Sequence, residues 1–206
     1  MPRPLPRFYP ILDPDFLRAR SFDPLEIARL LVDSGAGIVQ LRHKGPYTRQ
    51  AFELAEQVGG VVQAGGALYV INDRADIAAM LGADGVHVGQ DDLPPEAVRR
   101  IGLDGLLLGL STHSESQLSA GDSEPVDYLA LGPIFQTGSK AKPDPVVGIA
   151  ELARIRKLTT KPLVAIGGIT IDQAPAVLEA GADSIALISD YLRPTPEVGI
   201  HRWVAL

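Results

Sequence analysis

The sequence predicts an α/β protein with a closed, single-domain (β/α)₈ fold, the TIM-barrel class. Eight short apolar runs are too hydrophobic for strands that expose one face to water. Amphipathic segments separate these runs at a spacing of about 20–25 residues, which indicates repeated βα units and a parallel sheet. Eight such units close a barrel, although 206 residues is near the short end for that fold. An open doubly wound sheet is the alternative.

The predicted strands share a composition rich in valine, isoleucine and leucine. They are Phe8–Leu12, Ile38–Leu41, Leu68–Ile71, Gly85–Val88, Leu106–Leu110, Tyr128–Leu131, Leu163–Ile166 and Ser184–Leu187. The intervening segments have helical periodicity. They are Pro24–Ser34, Thr48–Gln63, Asp76–Leu81, Pro95–Ile101, Ser114–Ala120, Ile149–Leu158, Asp172–Ala180 and Pro196–Leu206.

Local signals mark where these helices begin and end. Asp23 before Pro24 is typical of a helix start, because the carboxylate caps the first turn and proline suits the first helical position. Gly-Ala pairs stand at four junctions between a predicted helix and the next strand, where a left-handed glycine ends a helix. They are Gly35-Ala36, Gly66-Ala67, Gly82-Ala83 and Gly181-Ala182.

Composition limits the domain count and the partners. With 46% hydrophobic and 21% charged residues, the chain can bury one core, and one domain over 1–206 is expected, with residues 1–7 a loose stretch. A net charge of −6 without a basic cluster argues against nucleic acid. No apolar run is long enough for a membrane span, and residues 1–7 contain no apolar targeting segment, so we expect a cytoplasmic protein. Because cysteine is absent, any metal ligands must be oxygen or imidazole.

Polar residues follow the predicted strands at the end where a barrel carries its chemistry. After the second strand, Gln40, Arg42 and Lys44 alternate, which places them on one face of an extended segment. A guanidinium and an ammonium on one face suit a polyanion such as a diphosphate. The alternative is ordinary surface charge whose aliphatic stems lie over a helix.

Two aspartates follow neighbouring strands. Asp73 comes after the third strand and Asp92 after the fourth, so their carboxylates are expected to lie close together. Mg²⁺ is usually held by one or two carboxylates together with substrate phosphates and water. The alternatives are that Asp73 pairs with Arg74 or Arg42, and that Asp91 or Asp92 caps the helix beginning at Pro94-Pro95.

Glycines and hydroxyls follow the last three strands. Gly167-Gly168 and Ile188-Ser189 stand after the seventh and eighth strands, where many barrels bind a phosphate through backbone N–H groups. Thr137, Ser139 and Lys140 after the sixth strand add hydroxyl and ammonium donors. The rim is therefore expected to hold two phosphate groups, with tight-turn packing of the glycines as the alternative.

Two histidines lie near this rim. His87, inside an apolar run, is interpreted as a hydrogen-bonded core residue. His113 is a candidate for substrate contact and rim chemistry. No G-x-S-x-G nucleophile elbow is present, so a serine-hydrolase triad is not predicted.

In combination, seven ordered motifs resemble the thiamine-phosphate synthase family from Tyr9 to Leu192. They are Gln40-Leu41-Arg42-x-Lys44, Ile71-Asn72-Asp73-Arg74, Gly82-Ala83-Asp84-Gly85-Val86-His87-x-Gly89-Gln90-x-Asp92-Leu93-Pro94, Gly109-x-Ser111-x-His113, Gly132-Pro133-Ile134-Phe135-x-Thr137-x-Ser139-Lys140, Ala165-Ile166-Gly167-Gly168-Ile169 and Ile188-Ser189. The chain departs from the family pattern at Tyr9-Pro10-Ile11-Leu12-Asp13 and at Ser139, where threonine is common.

The resemblance implies a transferase that couples hydroxymethylpyrimidine diphosphate to a thiazole phosphate with Mg²⁺ as cofactor, giving thiamine phosphate and pyrophosphate. It implies pyrimidine-substrate contacts at Gln40, Arg42, Lys44, Asn72, Ser111 and Lys140. It implies thiazole-phosphate contacts at Thr137, Ser139, Gly168, Ile188 and Ser189. Asp73 and Asp92 would hold the Mg²⁺. Arg42, Lys44, Ser111 and Lys140 form the predicted catalytic set.

Three other functions stay open. The related thiazole tautomerase would use His113 as acid and base, but it has no need of the diphosphate and metal residues. A non-catalytic thiazole-phosphate sensor and a barrel isomerase for another phosphate also fit part of the rim. The loop over residues 136–147 is a candidate lid, and a homodimer is neither favoured nor excluded.

Overall fold

Eight parallel strands form a closed barrel in the computed structural model, which describes residues 4–102, 105–137 and 144–206. Each strand pairs with its neighbours in sequence, and the last pairs with the first through Tyr9 and Ala186. The predicted (β/α)₈ class is confirmed. The strands are β1 (Phe8–Leu12), β2 (Ile38–Leu41), β3 (Leu68–Asn72), β4 (Gly85–Val88), β5 (Leu107–Thr112), β6 (Tyr128–Leu131), β7 (Leu163–Ile166) and β8 (Ser184–Leu187).

Nine α-helices lie within the described ranges and cover the outside of the barrel. They are α1 (Pro14–Arg18), α2 (Pro24–Asp33), α3 (Arg49–Ala64), α4 (Ala75–Leu81), α5 (Pro95–Arg99), α6 (Glu115–Asp122), α7 (Ile149–Ile155), α8 (Ala174–Glu179) and α9 (Pro196–Val204). Short 3₁₀ helices follow at Arg156–Leu158 and Asp190–Leu192. Among the described residues, no helix is long and apolar enough to cross a membrane.

The largest difference from the predicted elements is α1, which was not predicted. Asp13 accepts a hydrogen bond from the Phe16 N–H at 3.0 Å, and Pro14 occupies the first turn. This is the same Asp-Pro start that predicts α2, where Asp23 caps two N–H groups. Because α1 has only five residues, it offers no helical periodicity to read from the sequence.

The remaining differences concern the ends of elements. Strand β5 begins one residue later than predicted and continues to Thr112, whose hydroxyl donates to the Ala130 carbonyl of β6 at 2.9 Å. Strand β3 extends by one residue to Asn72. The glycines of the four Gly-Ala junctions have φ between 59° and 105°, which confirms the predicted left-handed ends.

Two buried clusters separate the inside of the barrel from its outer layer. The outer cluster lies between sheet and helices and contains most of the aliphatic side chains. The inner cluster includes two tyrosines, Tyr9 and Tyr128, whose hydroxyls hydrogen-bond each other at 2.9 Å. Polar side chains of Gln40, Asn72 and His87 are buried as well. The interior is therefore apolar at its middle and polar toward the rim that carries the strand C-termini.

Three aspartates repeat one contact at the opposite end of the barrel. One aspartate immediately precedes each of β4, β6 and β8: Asp84, Asp127 and Asp183 in that order. Each carboxylate accepts a hydrogen bond from a backbone N–H of the preceding strand. The Leu163 nitrogen, for example, lies 2.8 Å from a carboxylate oxygen of Asp183. These contacts tie the N-terminal ends of adjacent strands together, so they contribute to stability at the end of the barrel away from the rim. Beside them, the Pro6 carbonyl accepts from Ser184 at 2.6 Å.

We predict that Asp183→Ala lowers the free energy of unfolding by about 1–2 kcal/mol, because the Leu163 N–H loses its acceptor. Asp172→Ala is the control, since Asp172 is 84% exposed and, in the part of the chain that the structure describes, pairs with Arg202 at the surface. The control is expected to change stability by no more than about 0.5 kcal/mol. Urea unfolding of both variants measures the difference, and equal losses would contradict this role for Asp183.

Candidate active site at the C-terminal rim of the barrel

The three alternating residues at the C-terminal end of β2 and just beyond it line one path from the barrel interior to the rim. Gln40 is buried, and its amide nitrogen donates to the Tyr9 hydroxyl at 3.1 Å. Arg42 pairs with Asp13 at the end of β1, with both side chains largely buried. Lys44 lies further out, and its ammonium is 2.5 Å from Asp73. The path therefore carries two cations, each held by an aspartate.

Asp73 and Asp92 lie side by side at the ends of β3 and β4, as predicted. Burial raises the pKa of Asp73; Lys44 acts to lower it, and Asp92 raises it further through a hydrogen bond and charge repulsion. Asp92 also accepts from the Gly89 N–H at 2.7 Å. Because Asp92 disfavours the charge on Asp73, a cation beside these two carboxylates is favourable.

The backbone of Asp73 has φ of 64°, in the left-handed region. This conformation costs a non-glycine residue about 1–3 kcal/mol and is most tolerated by aspartate and asparagine. The Asp73 N–H donates to the His87 carbonyl of β4 at 2.7 Å, which holds the turn in place. The turn lets Asp73 meet Lys44 and Asp92 together.

Neither structural alternative for the aspartates is observed. Arg74 pairs with Asp76, at 2.8 Å through its Nε, instead of with Asp73. Helix α5 begins without a side-chain cap, so Asp92 does not cap it. Among the described residues, no group of three or more metal-capable side chains occurs, so Asp73 and Asp92 stand as a pair.

Asn72 presents a buried donor that the described part of the chain does not satisfy. Its side chain is 6% exposed, and its amide nitrogen has no hydrogen-bond partner there. An unpaired buried polar group costs about 1–3 kcal/mol, so such a donor next to Asp73 is suited to an acceptor on a ligand.

His87 confirms its interpretation as a hydrogen-bonded core residue, and it contacts a predicted site residue. Its Nδ1 lies 2.9 Å from the Tyr128 hydroxyl, and its Nε2 lies 2.8 Å from the Ser111 hydroxyl. Burial lowers the pKa of His87 to about 4, so the ring is neutral at pH 7. Ser111 is half-buried, and its carbonyl accepts from Gln90 at 2.7 Å.

His113 lies at the rim after β5, on the side of the β6 loop. Its Nδ1 is 2.6 Å from the Gly132 carbonyl and 3.6 Å from Asp144. The short contact with a carbonyl identifies Nδ1 as the donor in the neutral ring. His113 therefore links β5 to the loop after β6 and lies apart from the pairs that Lys44 and Arg42 form.

The glycines after β7 pack tightly against the loop after β6. A Cβ on Gly167 would lie 2.6 Å from Pro133, and one on Gly168 would lie 2.9 Å from the side chain of Phe135. Tight packing thus accounts for both glycines. Within the described ranges, the N–H groups of Gly168 and Ser189 form no hydrogen bond, so they can still receive an anion.

The loops after β7 and β8 are joined by Asp190. Its carboxylate accepts from the Ile171 N–H and from the Trp203 indole, each at 3.0 Å. Ile188 and Ser189 leave β8 just before this junction. Thr137 is half-buried beside the same loops, whereas Ser139 and Lys140 lie outside the described residues, as do residues 138–143 of the candidate lid.

Sequence analysis missed the partners that orient the site. Asp13 was assigned no role, although it stands after β1 as Asp73 stands after β3, and that position was the available signal. Tyr9 and Tyr128 were treated only as parts of strands, and Asp190 was assigned no role. Contacts across the inside of a barrel have no local sequence signal.

A closed parallel barrel whose C-terminal rim carries ion pairs, two adjacent carboxylates and glycine loops is a (β/α)₈ protein of the kind that places its chemistry at that rim. A model of the family described as thiamine monophosphate synthase matches residues 8–191. The chain belongs to this family, and the transferase class expected from the motifs is confirmed.

Individual relatives agree with the family match. A thiamine-phosphate synthase of Koribacter versatilis is 47% identical over 190 residues, which cover 91% of this chain and 90% of that protein. One of Laribacter hongkongensis is 42% identical and covers 88% of this chain and 85% of its own. The solved thiamine phosphate pyrophosphorylase of Pyrococcus furiosus superposes with a TM-score of 0.85 at 29% identity, over 97% of this chain and 96% of that one.

We predict that His87 makes the protein less stable in acid. Its pKa of about 4 in the folded chain lies below the ordinary value of 6.5, so between these values the unfolded chain binds a proton that the folded chain excludes. Stability should therefore fall as pH drops through this window, by about 2–3 kcal/mol between pH 6.5 and 4.5.

Urea unfolding at both pH values tests this expectation. His87→Gln should lose that part of the pH dependence, whereas His201→Gln, at an exposed position of α9, should keep it. Because Asp73 is present in all three proteins, its own titration largely cancels in the comparison. Identical pH profiles for His87→Gln and the original protein would contradict the prediction.

Proposed function

We propose that this protein is a thiamine-phosphate synthase that joins hydroxymethylpyrimidine diphosphate to hydroxyethylthiazole phosphate, releasing pyrophosphate. The observation that carries the proposal is the pair Asp73 and Asp92 beside Lys44 and the unpartnered amide of Asn72. A thiazole-phosphate sensor or a tautomerase does not bind a diphosphate and would not need these four residues. The family match and the relatives' names support the same reaction.

Asp73 and Asp92 fit a Mg²⁺ ion. Both are hard oxygen ligands, they face each other at neighbouring strand ends, and Asp92 already disfavours the charge on Asp73. Two protein carboxylates are the usual number for a magnesium that also binds substrate phosphates. When bound, the ion would neutralise negative charge on the diphosphate. Lys44, 2.5 Å from Asp73, is placed to serve the same phosphates.

Arg42, Lys44 and Asn72 would hold the pyrimidine diphosphate. Asp13 orients the Arg42 guanidinium, which leaves its remaining N–H donors for phosphate oxygens. Gln40 and Ser111 would contact the pyrimidine itself from the barrel interior, and Lys140 would add a cation. His113 would contact substrate from the β5 side of the rim.

The thiazole phosphate would bind to the loops after β6, β7 and β8. The open N–H groups of Gly168 and Ser189 support this assignment. Thr137, Ser139 and Ile188 complete the proposed contacts. Two phosphate sites at opposite sides of one rim would bring the two substrates together over the barrel.

The proposed reaction needs no protein nucleophile. The bond between the pyrimidinylmethyl carbon and the diphosphate oxygen breaks, and its electron pair leaves with pyrophosphate. The thiazole nitrogen then supplies the electron pair of the new carbon–nitrogen bond. Arg42, Lys44 and Lys140 would stabilise the charge that collects on the leaving group, the kind of preorganised electrostatics that lowers barriers most. A cytoplasmic location belongs to the proposal, supported by the absence of cysteine.

We predict that the protein forms thiamine phosphate from the two substrates only with a divalent cation. Asp73→Ala and Asp92→Ala should each lower kcat/KM at least about a hundredfold, because removing a metal ligand also removes charge stabilisation of the leaving group. Asp91→Ala is the matched control, since Asp91 is the exposed neighbour of Asp92.

A coupled assay with and without chelator measures these effects. Wild-type turnover and unchanged Mg²⁺ dependence in both Asp73→Ala and Asp92→Ala would refute the metal assignment. Isomerisation of the thiazole without coupling would favour the tautomerase, and tight ligand binding without turnover would favour the sensor.

We predict that Ser189→Ala, which keeps the backbone N–H and removes the hydroxyl, raises KM for the thiazole phosphate about tenfold and leaves KM for the pyrimidine diphosphate unchanged. The proposed hydrogen bond from the hydroxyl to the charged phosphate is then lost at one of the two sites. Ser123→Ala, at an exposed position after α6, is the control. Initial-rate measurements with each substrate varied in turn separate the two KM values. An equal rise in both would argue against two separate phosphate sites.

A further inference from the structure

A continuous chain of side-chain hydrogen bonds crosses the inside of the barrel. Gln40 Nε2 is 3.1 Å from the Tyr9 hydroxyl, which is 2.9 Å from the Tyr128 hydroxyl. Tyr128 is 2.9 Å from His87 Nδ1, and His87 Nε2 is 2.8 Å from Ser111 Oγ. The two ends, Gln40 and Ser111, belong to the proposed site, whereas the three middle residues have been given no part in it.

Satisfying the buried donors gives this chain one direction. Gln40 donates to the Tyr9 hydroxyl through its amide nitrogen, and among the contacts of the described residues the Tyr128 oxygen is the acceptor for the Tyr9 proton. Tyr128 then donates to His87 Nδ1, which accepts as the unprotonated nitrogen. With Nδ1 accepting, the ring carries its proton on Nε2 and donates it to Ser111.

We propose that this chain of hydrogen bonds makes His87 a positioning residue. By donating to one lone pair of Ser111, His87 cannot accept the Ser111 hydroxyl proton, which is thereby directed toward the pyrimidine substrate. The proposal rests on the proposed function, since it concerns the ring that Ser111 would contact. The hydroxyl proton requires an acceptor, so it would be donated to a ring nitrogen of the pyrimidine and not to its exocyclic amino group. The opposite chain polarity would select the amino group.

Gly109 makes the central link of the chain geometrically possible. It pairs with His87 on β4 and with Tyr128 on β6, so it stands between the two residues in the sheet. A Cβ on Gly109 would lie 2.5 Å from His87 Nδ1 and closer still to the Tyr128 ring. With no side chain there, the His87 and Tyr128 rings stack at 5.5 Å across β5. This close packing explains why glycine stands first in the motif Gly109-x-Ser111-x-His113.

The tautomer of His87 can be measured without any substrate. In ¹⁵N-labelled protein, long-range proton–nitrogen correlations distinguish a protonated from an unprotonated imidazole nitrogen. The four histidines are assigned with His87→Gln and, by exclusion, with single glutamine variants at His43, His113 and His201. We expect His87 to carry its proton on Nε2 in the original protein. A proton on Nδ1 would overturn the proposal.

Tyr128→Phe removes the hydroxyl that donates to His87 Nδ1, so the direction of the hydrogen bonds from His87 to Ser111 should no longer be fixed. We expect the His87 tautomer to shift toward Nδ1–H, Ser111 to turn its proton inward, and KM for the pyrimidine diphosphate to rise about tenfold while KM for the thiazole phosphate stays constant. Tyr69→Phe is the matched control. The Tyr69 hydroxyl is also buried and donates to the Ala55 carbonyl at 2.7 Å, and it takes no part in the hydrogen-bond chain from Gln40 to Ser111.

The control should change neither the tautomer nor either KM. A change in both KM values in Tyr128→Phe, or in neither, would overturn the positioning role. If Tyr128→Phe does not fold, the spectrum of the original protein still shows which nitrogen of His87 carries the proton. Absence of coupling in the original protein would refute the proposed function alone, because the tautomer is read in the unliganded protein.

Discussion

Closure of the parallel sheet is the constraint on which the rest of this structure depends. Since β8 pairs with β1 and all strands run the same way, every strand C-terminus reaches one rim. Residues distant in sequence become neighbours there, as Lys44 and Asp73 do across the ends of β2 and β3. The aspartates at the opposite end secure the strand N-termini without using any group at the rim. Stability and chemistry are thus assigned to different ends of the same strands.

Closure also creates an interior in which polar groups must find partners inside the protein. A lumen this narrow is filled with side chains, and a buried polar group without a partner is costly. Tyr9, Tyr128 and His87 hydrogen-bond one another, so the polar atoms along this row are paired inside the barrel. Two buried side-chain atoms of the described residues lack a hydrogen-bond partner, the Tyr47 hydroxyl and the Asn72 amide nitrogen, and Asn72 lies where a ligand would supply the missing acceptor. Asn72 and Ser111, at one end of the hydrogen-bond chain, both belong to the proposed pyrimidine site.

The sequence predicts the fold well because parallel strands are buried on both faces and therefore read as continuous apolar runs. It predicts the proximity of Asp73 and Asp92 for a related reason, since neighbouring strands end beside each other. It does not predict α1, which is too short for periodicity, or the pairing of Arg42 with Asp13. Contacts across the lumen, such as Tyr9 with Tyr128, depend on the stagger of the strands around the barrel, and no local pattern encodes that stagger.

Charge at the described part of the rim explains why the proposed metal and the proposed diphosphate belong together. Arg42 and Lys44 are already matched by Asp13 and Asp73, and Asp92 adds a further carboxylate. This balance alone does not attract a polyanion. A divalent cation between the aspartates would reverse the local sign and compete with Lys44 for Asp73, which would leave the ammonium available to phosphate oxygens. The ion pairs with Asp13 and Asp73 would therefore hold the two cations in position, and binding of the diphosphate would turn these cations toward the leaving group.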